Sequence, residues 1–471
     1  MKGTMRFTRC LTTALIALSA ACSTVTEHMS PDPDLSTPHA DGSFLHGDDR
    51  STTPLPAKWW TLFNDATLDD LMERLNTANP DASAALARVD QSFAVLGITR
   101  GPLLPTVRGD GSLGRQGQSV NNLLFPLATP ENDRFRLGGS VSWELDLWGR
   151  VRSAVKRDRF RAEAAAVDYH DIILSLQSAL ARQYFAYRAA DTELTLLRTI
   201  HQRETEKLKL VEARVTFGQA VKSDLARATI ALQETGVAVE GAERNSGKML
   251  HAIAVLTGSL PSELGRLTDS RIELAPADIP AGLPSELLGQ RPDLISADRK
   301  LRAAATQVGV RRADFLPKIT LLGSGGIASL KAGSLFDADS VFFDIGPQID
   351  IPIFQGSVSR SAIAQARAQF REAAANYRST FLTAVREVDD ALLDAKSYAR
   401  EIAQQRAATA SALEAADAAK DRHETGIGSY ADYLNAEQTR LRSVIRENAV
   451  TSEQRLASIR LIQALGGSWE N

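Results

Sequence analysis

The residue types that carry out catalysis occur in this chain of 471 residues, but not at the spacings of common enzyme motifs. The seven histidines are scattered, and none lies in the HExxH pattern that holds a zinc ion on one helix face. The chain has neither the GxSxG turn of serine hydrolases nor the GxxxxGK(S/T) loop that cradles phosphates. Its many Asp and Glu pairs lie on amphipathic helical patterns, where solvation explains them. We therefore expect no enzymatic activity, no metal site and no cofactor.

One cysteine has surroundings that predict a covalent modification. A basic start precedes a short apolar stretch, and Leu18-Ser-Ala-Ala-Cys22 then places small residues before the cysteine. This order is typical of a bacterial lipoprotein signal, so we expect residues 1–21 to be removed and Cys22 to be acylated. Ser19 departs from the usual leucine, and ordinary cleavage after Ala21 is the alternative. With Cys10 lost, a single cysteine remains, and no internal disulfide can form.

Two aspartates occupy the same place in two similar segments. Arg214-Val-Thr-Phe-Gly218 is followed by Asp224, and Arg422-His-Glu-Thr-Gly426 is followed by Asp432. Each carboxylate therefore stands six residues beyond a glycine that can reverse the chain with a positive φ. Taken alone, each aspartate is explained equally well as a solvated helix carboxylate.

This echo belongs to a longer duplication. Residues 79–112 align without a gap on residues 291–324, sharing prolines, glycines and arginines. A unit of roughly 210 residues is too long for a solenoid repeat and indicates a duplicated half-domain. We expect a lipidated, extended tether over residues 22–55, a first structural repeat over 56–268 and a second over 269–471.

Each half contains a segment in which apolar and polar residues alternate. Residues 134–147 and 341–353 have the period of a strand with one apolar and one polar face. The expected hairpin partners are Val107–Leu113 and Lys318–Leu322, with loops at 114–133 and 325–340. A half-buried strand of a soluble sandwich gives the same alternation. However, polar residues of both charge signs opposite a uniformly apolar face suit a water-filled barrel in a membrane.

The number of predicted strands implies that more than one chain assembles. Four strands cannot close a barrel, and every strand edge inside a membrane must be paired. Several chains would have to contribute strands to one barrel.

Each strand pair is followed by a long helical pattern. Residues 131–260 and 353–471 contain no proline and are rich in Ala, Leu, Arg, Glu and Gln. Unbroken helices over Val151–Val215 and 357–424 would each be about 100 Å long. A simple coiled coil is the alternative, although the apolar repeat is not a clean heptad. We expect each run to turn at Gly218 or Gly426 and to return as a shorter helix.

The net charge of −3 and the absence of a basic cluster argue against nucleic-acid binding. The tryptophans have two possible roles. Trp143 and Trp148 suit either a membrane-interface belt or the strand-to-helix junction. Trp59-Trp60 are expected to pack the N-terminal segment against the helices.

The chain resembles the TolC-like outer-membrane factor family, and within it the lipoprotein branch that serves tripartite RND-type efflux systems. The resemblance runs from Trp59 to Trp469. The motifs that carry it are Trp143-Glu-Leu-Asp-Leu-Trp-Gly-Arg150, Arg291-Pro-Asp293, Gly309-Val-Arg-Arg-Ala-Asp-Phe-Leu-Pro317, Pro352-Ile-Phe-Gln-Gly356 and Ala464-Leu-Gly-Gly-Ser-Trp469.

The resemblance implies a homotrimer whose four strands per chain form a twelve-stranded outer-membrane barrel, continued by a long α-helical periplasmic tunnel. It implies passive conduction from a periplasmic adaptor and an inner-membrane pump to the exterior, with no bond made or broken. Drugs, solvents, dyes and metal ions all remain open as cargo. A duct for type I protein secretion and a non-conducting, coiled-coil envelope lipoprotein are the alternatives.

Site residues also follow from the resemblance. Asp224 and Asp432 match the acidic positions of the family's closed periplasmic gate. Asn435 and Gly428 stand where that gate has a further acidic and a basic residue, so we expect a weaker ionic lock in the second half. The turns correspond to the tips on which adaptor hairpins dock, and we assign docking to Phe217, Gly218, Gly426, Ile427 and Gly428.

Overall fold

The computed structural model describes residues 44–45, 56–117, 131–267 and 287–467. Its helices are α1 (Ala66–Ala78), α2 (Pro80–Arg100), α3 (Arg150–Thr216), α4 (Lys222–Leu256), α5 (Pro292–Ala313), α6 (Val358–Glu424) and α7 (Tyr430–Ala464). Its strands are β1 (Thr106–Gly117), β2 (Glu131–Glu144), β3 (Lys318–Ser329) and β4 (Val341–Asp350). Short helical turns lie at Trp59–Phe63, Gly101–Leu103, Leu287–Gln290, Ala332–Ser334 and Ala338–Ser340. None of these helices is both long and apolar enough to cross a membrane.

The duplication predicted from the sequence is confirmed in the order and length of the elements. Each half contains a helix, a strand pair, a long helix and a return helix. The long helices α3 and α6 both have 67 residues. The return helices α4 and α7 both have 35. Neither long helix is interrupted, as its proline-free sequence predicts.

The predicted strand ends are wrong at several places. β2 ends at Glu144 because the Asp146 carboxylate accepts hydrogen bonds from the backbone N–H groups of Val151 and Arg152 (both 2.9 Å) and so starts α3. β4 ends at Asp350, which pairs with Lys318, the first residue of β3, so its partner strand supplies no residue beyond it.

The partner strands are longer than predicted. β1 continues to Gly117 and β3 to Ser329, so part of each expected loop is strand. Their Gly- and Ser-rich ends have little strand propensity. They join the sheet because each residue has a partner across the ladder, as in the pairing of Gly325 with Gly139.

The helical region before β1 is divided into two helices. α1 ends at Ala78 and α2 begins at Pro80, with Asn79 between them. Proline is favoured at the first position of a helix, where its missing N–H would have no helical partner. The Asn79 Oδ1 atom accepts a hydrogen bond from the Ala82 N–H at 2.9 Å and caps the new helix.

The four strands form one antiparallel sheet in the order β1-β2-β3-β4. β1 and β4 are therefore its edge strands. In the register of the ladder, Val141, Phe343 and Ile345 share one face, which is exposed and apolar. Arg136, Ser324 and Asp344 share the other face, so the sheet has the apolar and polar sides that the alternation predicted.

Two compact units can be distinguished, and each takes segments from both halves of the chain. One includes Arg88–Ala166 and Ser296–Arg378, which contain the whole sheet. Its apolar cluster brings Val308 of α5 against Ala366 and Phe370 of α6.

The other unit includes Val167–Ile295 and most of the N-terminal and C-terminal helices. Its larger core packs Trp59, Trp60 and Phe63 and the apolar face of α1 against α3, α4 and α7, as expected for the two tryptophans. A second cluster joins α5, α6 and α7. Phe44, within the segment expected to be a tether, is buried in that second cluster.

In each half, a side chain donates a hydrogen bond to a backbone carbonyl at the end of the return helix. The Asn79 amide donates to the Leu256 carbonyl at the end of α4 (2.8 Å), and the Arg291 guanidinium donates to the Ala464 carbonyl at the end of α7 (2.8 Å). Arg291 is also bonded to Asp293 and Glu387. Burial opposes its charge, but these carboxylates hold the pKa of Arg291 above its ordinary value.

Candidate functional site

The two helix reversals that the sequence placed at glycines have the same geometry. Gly218 and Gly426 have φ of +69° and +78°. The N–H of the following residue donates to the carbonyl five residues earlier, from Gln219 to Arg214 (2.7 Å) and from Ile427 to Arg422 (2.9 Å). This is the Schellman ending of a helix, in which a left-handed residue satisfies carbonyls that would otherwise have no partner.

The side chains at these tips are exposed and apolar. Phe217 is 77 % exposed and Ile427 is 83 % exposed. A Cβ atom placed on Gly218 or Gly426 would meet nothing within 4 Å. The tips therefore present apolar surface in the single chain, as a surface for a partner would.

Gly428 is constrained in another way. A Cβ atom there would lie 2.9 Å from the Cβ of Arg422 and 3.1 Å from its backbone carbonyl carbon. The close return of the chain onto the end of α6 therefore excludes a side chain at this position. A basic side chain at this position would not fit the turn as it stands, and no local pattern in the sequence indicated this contact.

Asp224 and Asp432 both lie in the first turn of a return helix. The Asp224 carboxylate accepts a hydrogen bond from the Val221 N–H (3.2 Å) and lies 3.8 Å from an Arg227 nitrogen. Asp432 is exposed, and at its helix the capping oxygen is that of Ser429, which accepts from the Ala431 N–H (3.1 Å). A carboxylate is favoured by the positive end of the helix dipole at both places.

Within the described part of the chain, no hydrogen bond or ion pair joins Asp224 to Asp432. The first carboxylate is partly occupied in capping its own helix, whereas the second is free to face solvent. Sequence position makes the two equivalent, but their local surroundings differ.

A polar network that sequence reasoning missed lies near the tips, between α3 and α7. The Tyr430 hydroxyl donates to Glu206 (3.3 Å), which also accepts from Arg203 (3.0 Å). Lys207 donates to the Asn435 side-chain oxygen at 2.8 Å. Burial and the neighbouring Glu206 raise the pKa of Tyr430. Asn435, which stands where the family has a carboxylate, thus joins α7 of the second half to α3 of the first.

An ion pair within α7 lies further along that helix. The Arg440 guanidinium donates to both oxygens of Glu437, at 2.6 and 2.7 Å. These hydrogen bonds lower the pKa of the Glu437 carboxyl group below its ordinary value. The only signal in the sequence was the three-residue spacing of opposite charges on one helix, which is common on solvated helices.

The tryptophans near the sheet serve the strand-to-helix junction. The Trp143 indole N–H donates to the Leu103 carbonyl at 3.1 Å, and the Trp148 N–H donates to the Pro317 carbonyl at 2.7 Å. Both bonds tie a turn that precedes a strand to the end of β2. Glu144 and Arg150 add a bidentate ion pair at 2.6 and 2.9 Å at the same junction.

Cys22 lies outside the described residues. Among the residues described, no group of three or more His, Cys, Asp or Glu side chains is placed to hold a metal ion.

Comparison with known proteins gives consistent results. The sequence profile of the outer membrane efflux protein family matches residues 71–259 and 283–467. The outer membrane protein OprJ of Pseudomonas aeruginosa is 29 % identical over 428 residues, covering 88 % of this chain and 86 % of that protein. The toluene efflux pump outer membrane protein TtgI of Pseudomonas putida is 27 % identical over 459 residues, covering 97 % of each chain.

A solved structure has the same fold. The CmeC outer membrane channel of Campylobacter jejuni superposes with a TM-score of 0.84 at 27 % identity, covering 93 % of this chain and 92 % of that one.

Proposed function

The chain belongs to the outer membrane efflux protein family, and from that premise we propose that it is the outer-membrane channel of a tripartite efflux system. It lies in the outer membrane and extends into the periplasm, as its relatives do. It conducts substrates passively from a periplasmic adaptor and an inner-membrane pump to the exterior, without making or breaking a bond.

The observation that carries this proposal is the form of the sheet. It has two edge strands, β1 and β4, and an exposed apolar face that includes Val341, Phe343 and Ile345. In a bilayer those edges must be paired, because no water is present to satisfy their N–H and C=O groups. Three copies pairing β1 of one chain with β4 of the next make a closed barrel of twelve strands. The polar faces then line a wet lumen, and the apolar faces contact lipid.

The periplasmic gate is assigned to Asp224 and Asp432. In a trimer, three copies of each carboxylate surround the axis at the ends of the return helices. Like charges in such a ring repel one another, so the ring attracts cations. The entrance stays narrow only when such cations screen or bridge the carboxylates. Asn435, which is bonded to Lys207, and Gly428, which lies in the close turn, carry no charge. The second half therefore lacks the further charges that would strengthen an ionic lock.

Single-channel conductance of the purified protein in planar bilayers tests the channel and the gate together. Wild type should show small, cation-selective openings, and the Asp224→Ala/Asp432→Ala variant should show larger ones. Because Asp224 also caps its helix, Asp224→Asn/Asp432→Asn is the matched variant that removes charge while keeping a hydrogen-bond acceptor. If both variants leave the openings unchanged, the gate lies elsewhere; if intact oligomers do not conduct, the channel proposal is wrong.

Adaptor docking is assigned to Phe217, Gly218, Gly426, Ile427 and Gly428. Support comes from the exposed apolar side chains and the free space above both positive-φ glycines. A bulky residue at a tip glycine fills that space without touching the core. Gly218→Leu and Gly426→Leu should therefore abolish export and adaptor co-purification while the trimers persist. Gly356→Leu, at a φ of +58° and equally open, is the control for the added side chain and its backbone strain. Normal export in the tip variants would rule out docking there.

The lipid anchor is assigned to Cys22. A Cys22→Ser variant should lose metabolic labelling by palmitate. Retention of the label in that variant would assign acylation to another residue.

A further inference from the structure

One row of residues across the polar face of the sheet has an unusual composition. The ladder pairs Asp110 with Gly138, Gly138 with Gly326, and Gly326 with Phe342. A carboxylate and an aromatic ring therefore stand at opposite ends of a row whose two central members have no side chain. Phe342 is the only aromatic residue on the polar face among the described strand residues.

The space above the two glycines is occupied by an arginine from the adjacent row. The Arg136 guanidinium carbon lies 4.2 Å from the centre of the Phe342 ring. Its Nε atom lies 3.7 Å from an Asp110 carboxylate oxygen. A guanidinium stacks favourably on the face of an aromatic ring, so the ring holds the cation in place.

The glycines are required by this arrangement. A Cβ atom on Gly138 would lie 3.2 Å from the Phe342 ring and 3.0 Å from the Gly325 carbonyl oxygen. A Cβ atom on Gly326 would lie 2.3 Å from the Leu137 carbonyl oxygen. Any side chain at either position would push the ring or the neighbouring strand away.

Arg136 keeps its hydrogen-bonding capacity for a ligand. Within the described part of the chain none of its guanidinium N–H groups makes a hydrogen bond, and the contact with Asp110 is an ion pair beyond hydrogen-bond length. Its side chain is 38 % exposed. By contrast, Arg134 on the same face donates to Gln116 at 3.2 Å, and Arg150 is fully engaged with Glu144. A planar cation with free donors beside an aromatic ring is suited to a carboxylate carried on a flat ring, which it can bind by hydrogen bonds and stacking together.

We propose that Arg136 and Phe342 form a contact site for aromatic carboxylates on the polar face of the sheet. The carboxylate accepts hydrogen bonds from the free guanidinium N–H groups, and the aromatic ring of the solute packs against the exposed part of the half-buried Phe342 ring. The role of this site in transport rests on the proposed function, because a duct brings cargo to this face. In a trimer the site occurs three times around the lumen.

The test is equilibrium binding of salicylate to the purified full chain in lipid nanodiscs, followed by saturation-transfer NMR. Cyclohexanecarboxylate is the matched probe, since it has the carboxylate but no aromatic ring. Wild type should bind salicylate more tightly than cyclohexanecarboxylate. Arg136→Gln should weaken salicylate binding about tenfold, the size of effect expected when hydrogen bonds to a charged group are lost.

Two further variants separate the contributions. Phe342→Leu should remove the preference for salicylate over cyclohexanecarboxylate while leaving carboxylate binding. Arg134→Gln, two residues away on the same face, should leave both affinities unchanged. Arg136→Lys keeps the charge but loses the planar pair of donors, so it should also weaken salicylate binding. It replaces Arg136→Gln in the test if that variant does not fold.

Equal salicylate affinity in wild type and the Arg136 variants would overturn the proposal, as would equal binding of the two acids or no binding at all in wild type. Binding does not require an open channel. A failure here with normal conductance in planar bilayers removes this site alone, whereas loss of conductance bears on the proposed function.

Discussion

At the scale of single residues, the positive-φ glycines divide into two kinds. Gly218 and Gly426, at the tips, have open space around them. Gly258 and Gly466, just beyond the return helices, are packed against backbone: a Cβ atom would lie 2.3 Å from the Ala78 carbonyl oxygen or 2.6 Å from the Gln290 carbonyl oxygen. The same φ therefore serves a turn in one pair and a close approach of two chain segments in the other.

Alanine substitution should separate these two kinds. Gly218→Ala and Gly426→Ala should cost about 1 kcal/mol each, the strain of a left-handed residue with a side chain. Gly258→Ala and Gly466→Ala add a collision with backbone and should cost about 3 kcal/mol or more. The midpoint of thermal unfolding of the purified protein measures the difference. Equal shifts in both pairs would show that the packing contact relaxes without cost.

Removal of the Arg291 guanidinium should lower the free energy of unfolding, because Arg291 joins the start of α5 to the end of α7. Its side chain is 8 % exposed, and removal leaves the Asp293 carboxylate and the Ala464 carbonyl without this partner. We expect Arg291→Ala to destabilise the protein by about 2–4 kcal/mol, since buried groups lose their compensating bonds.

Arg302→Ala, in the helix α5 that begins just after Arg291, is the matched control. Arg302 pairs with Asp298 at 2.8 Å, but its side chain is 56 % exposed, so the loss should be within about 0.5 kcal/mol. Thermal unfolding of the two variants side by side checks the comparison. An Arg291→Ala variant as stable as Arg302→Ala would mean that water replaces the lost bonds.

At the scale of elements, a buried phenol helps to hold the N-terminal segment on α3. The Tyr184 hydroxyl donates to Asp65 at 2.7 Å, and the same aspartate caps α1 through the Thr67 and Leu68 N–H groups. Burial, with Asp65 beside it, raises the pKa of Tyr184 to about 12.

This pKa predicts a loss of stability in alkali. The folded state favours the protonated phenol, so the stabilisation is complete below the ordinary tyrosine pKa of about 10 and is lost as pH rises toward 12. Spectrophotometric titration should find a tyrosine component that ionises near pH 12, and Tyr184→Phe should remove that component. Unfolding near Trp59 and Trp60, followed by fluorescence, should begin in the same pH range in wild type. Complete ionisation of all tyrosines near pH 10 with the fold intact would contradict this account.

The strands are elements whose two faces should differ sharply in tolerance. Ile345 and Asp344 are neighbours on β4, and Ile345 is 73 % exposed on the apolar face. A lysine at Ile345 would face lipid, which costs about 2–4 kcal/mol near the middle of a bilayer, whereas a lysine at Asp344 would face water. Ile345→Lys should therefore lower the yield of heat-modifiable oligomer in the outer membrane, and Asp344→Lys should not. Equal yields would mean that the two faces do not have lipid and water on opposite sides.

At the scale of the whole molecule, the single chain is incomplete. Its sheet ends in two edge strands, and each compact unit is built from segments of both halves. Pairing with further copies removes the open edges, which are otherwise templates for aggregation.

The oligomeric state is therefore the measurement that belongs to this scale. Light scattering of the purified protein, corrected for detergent, should give three times the mass of the mature chain. The unit mass is close to, and below, the 50.9 kDa of the full chain. A monomer or a dimer that still conducts would contradict the twelve-stranded barrel.

The sequence by itself determined the elements whose signals are local. Proline-free runs predicted the uninterrupted α3 and α6, strict alternation predicted the two faces of the sheet, and Gly218 and Gly426 marked the reversals. The duplication could be read because both halves repeat these local signals in the same order. Each of these properties depends on residues close together in the chain, so the periodicity of the residues carries the information.

Only the tertiary structure decided the contacts between distant segments. The length of β3 depends on its partner strands, and the stacking of Arg136 on Phe342 depends on the register of three strands. The exclusion of a side chain at Gly466 depends on a chain segment more than 170 residues away. Such contacts arise from packing and hydrogen bonding across the fold, where one residue's surroundings are set by elements that share no local pattern with it.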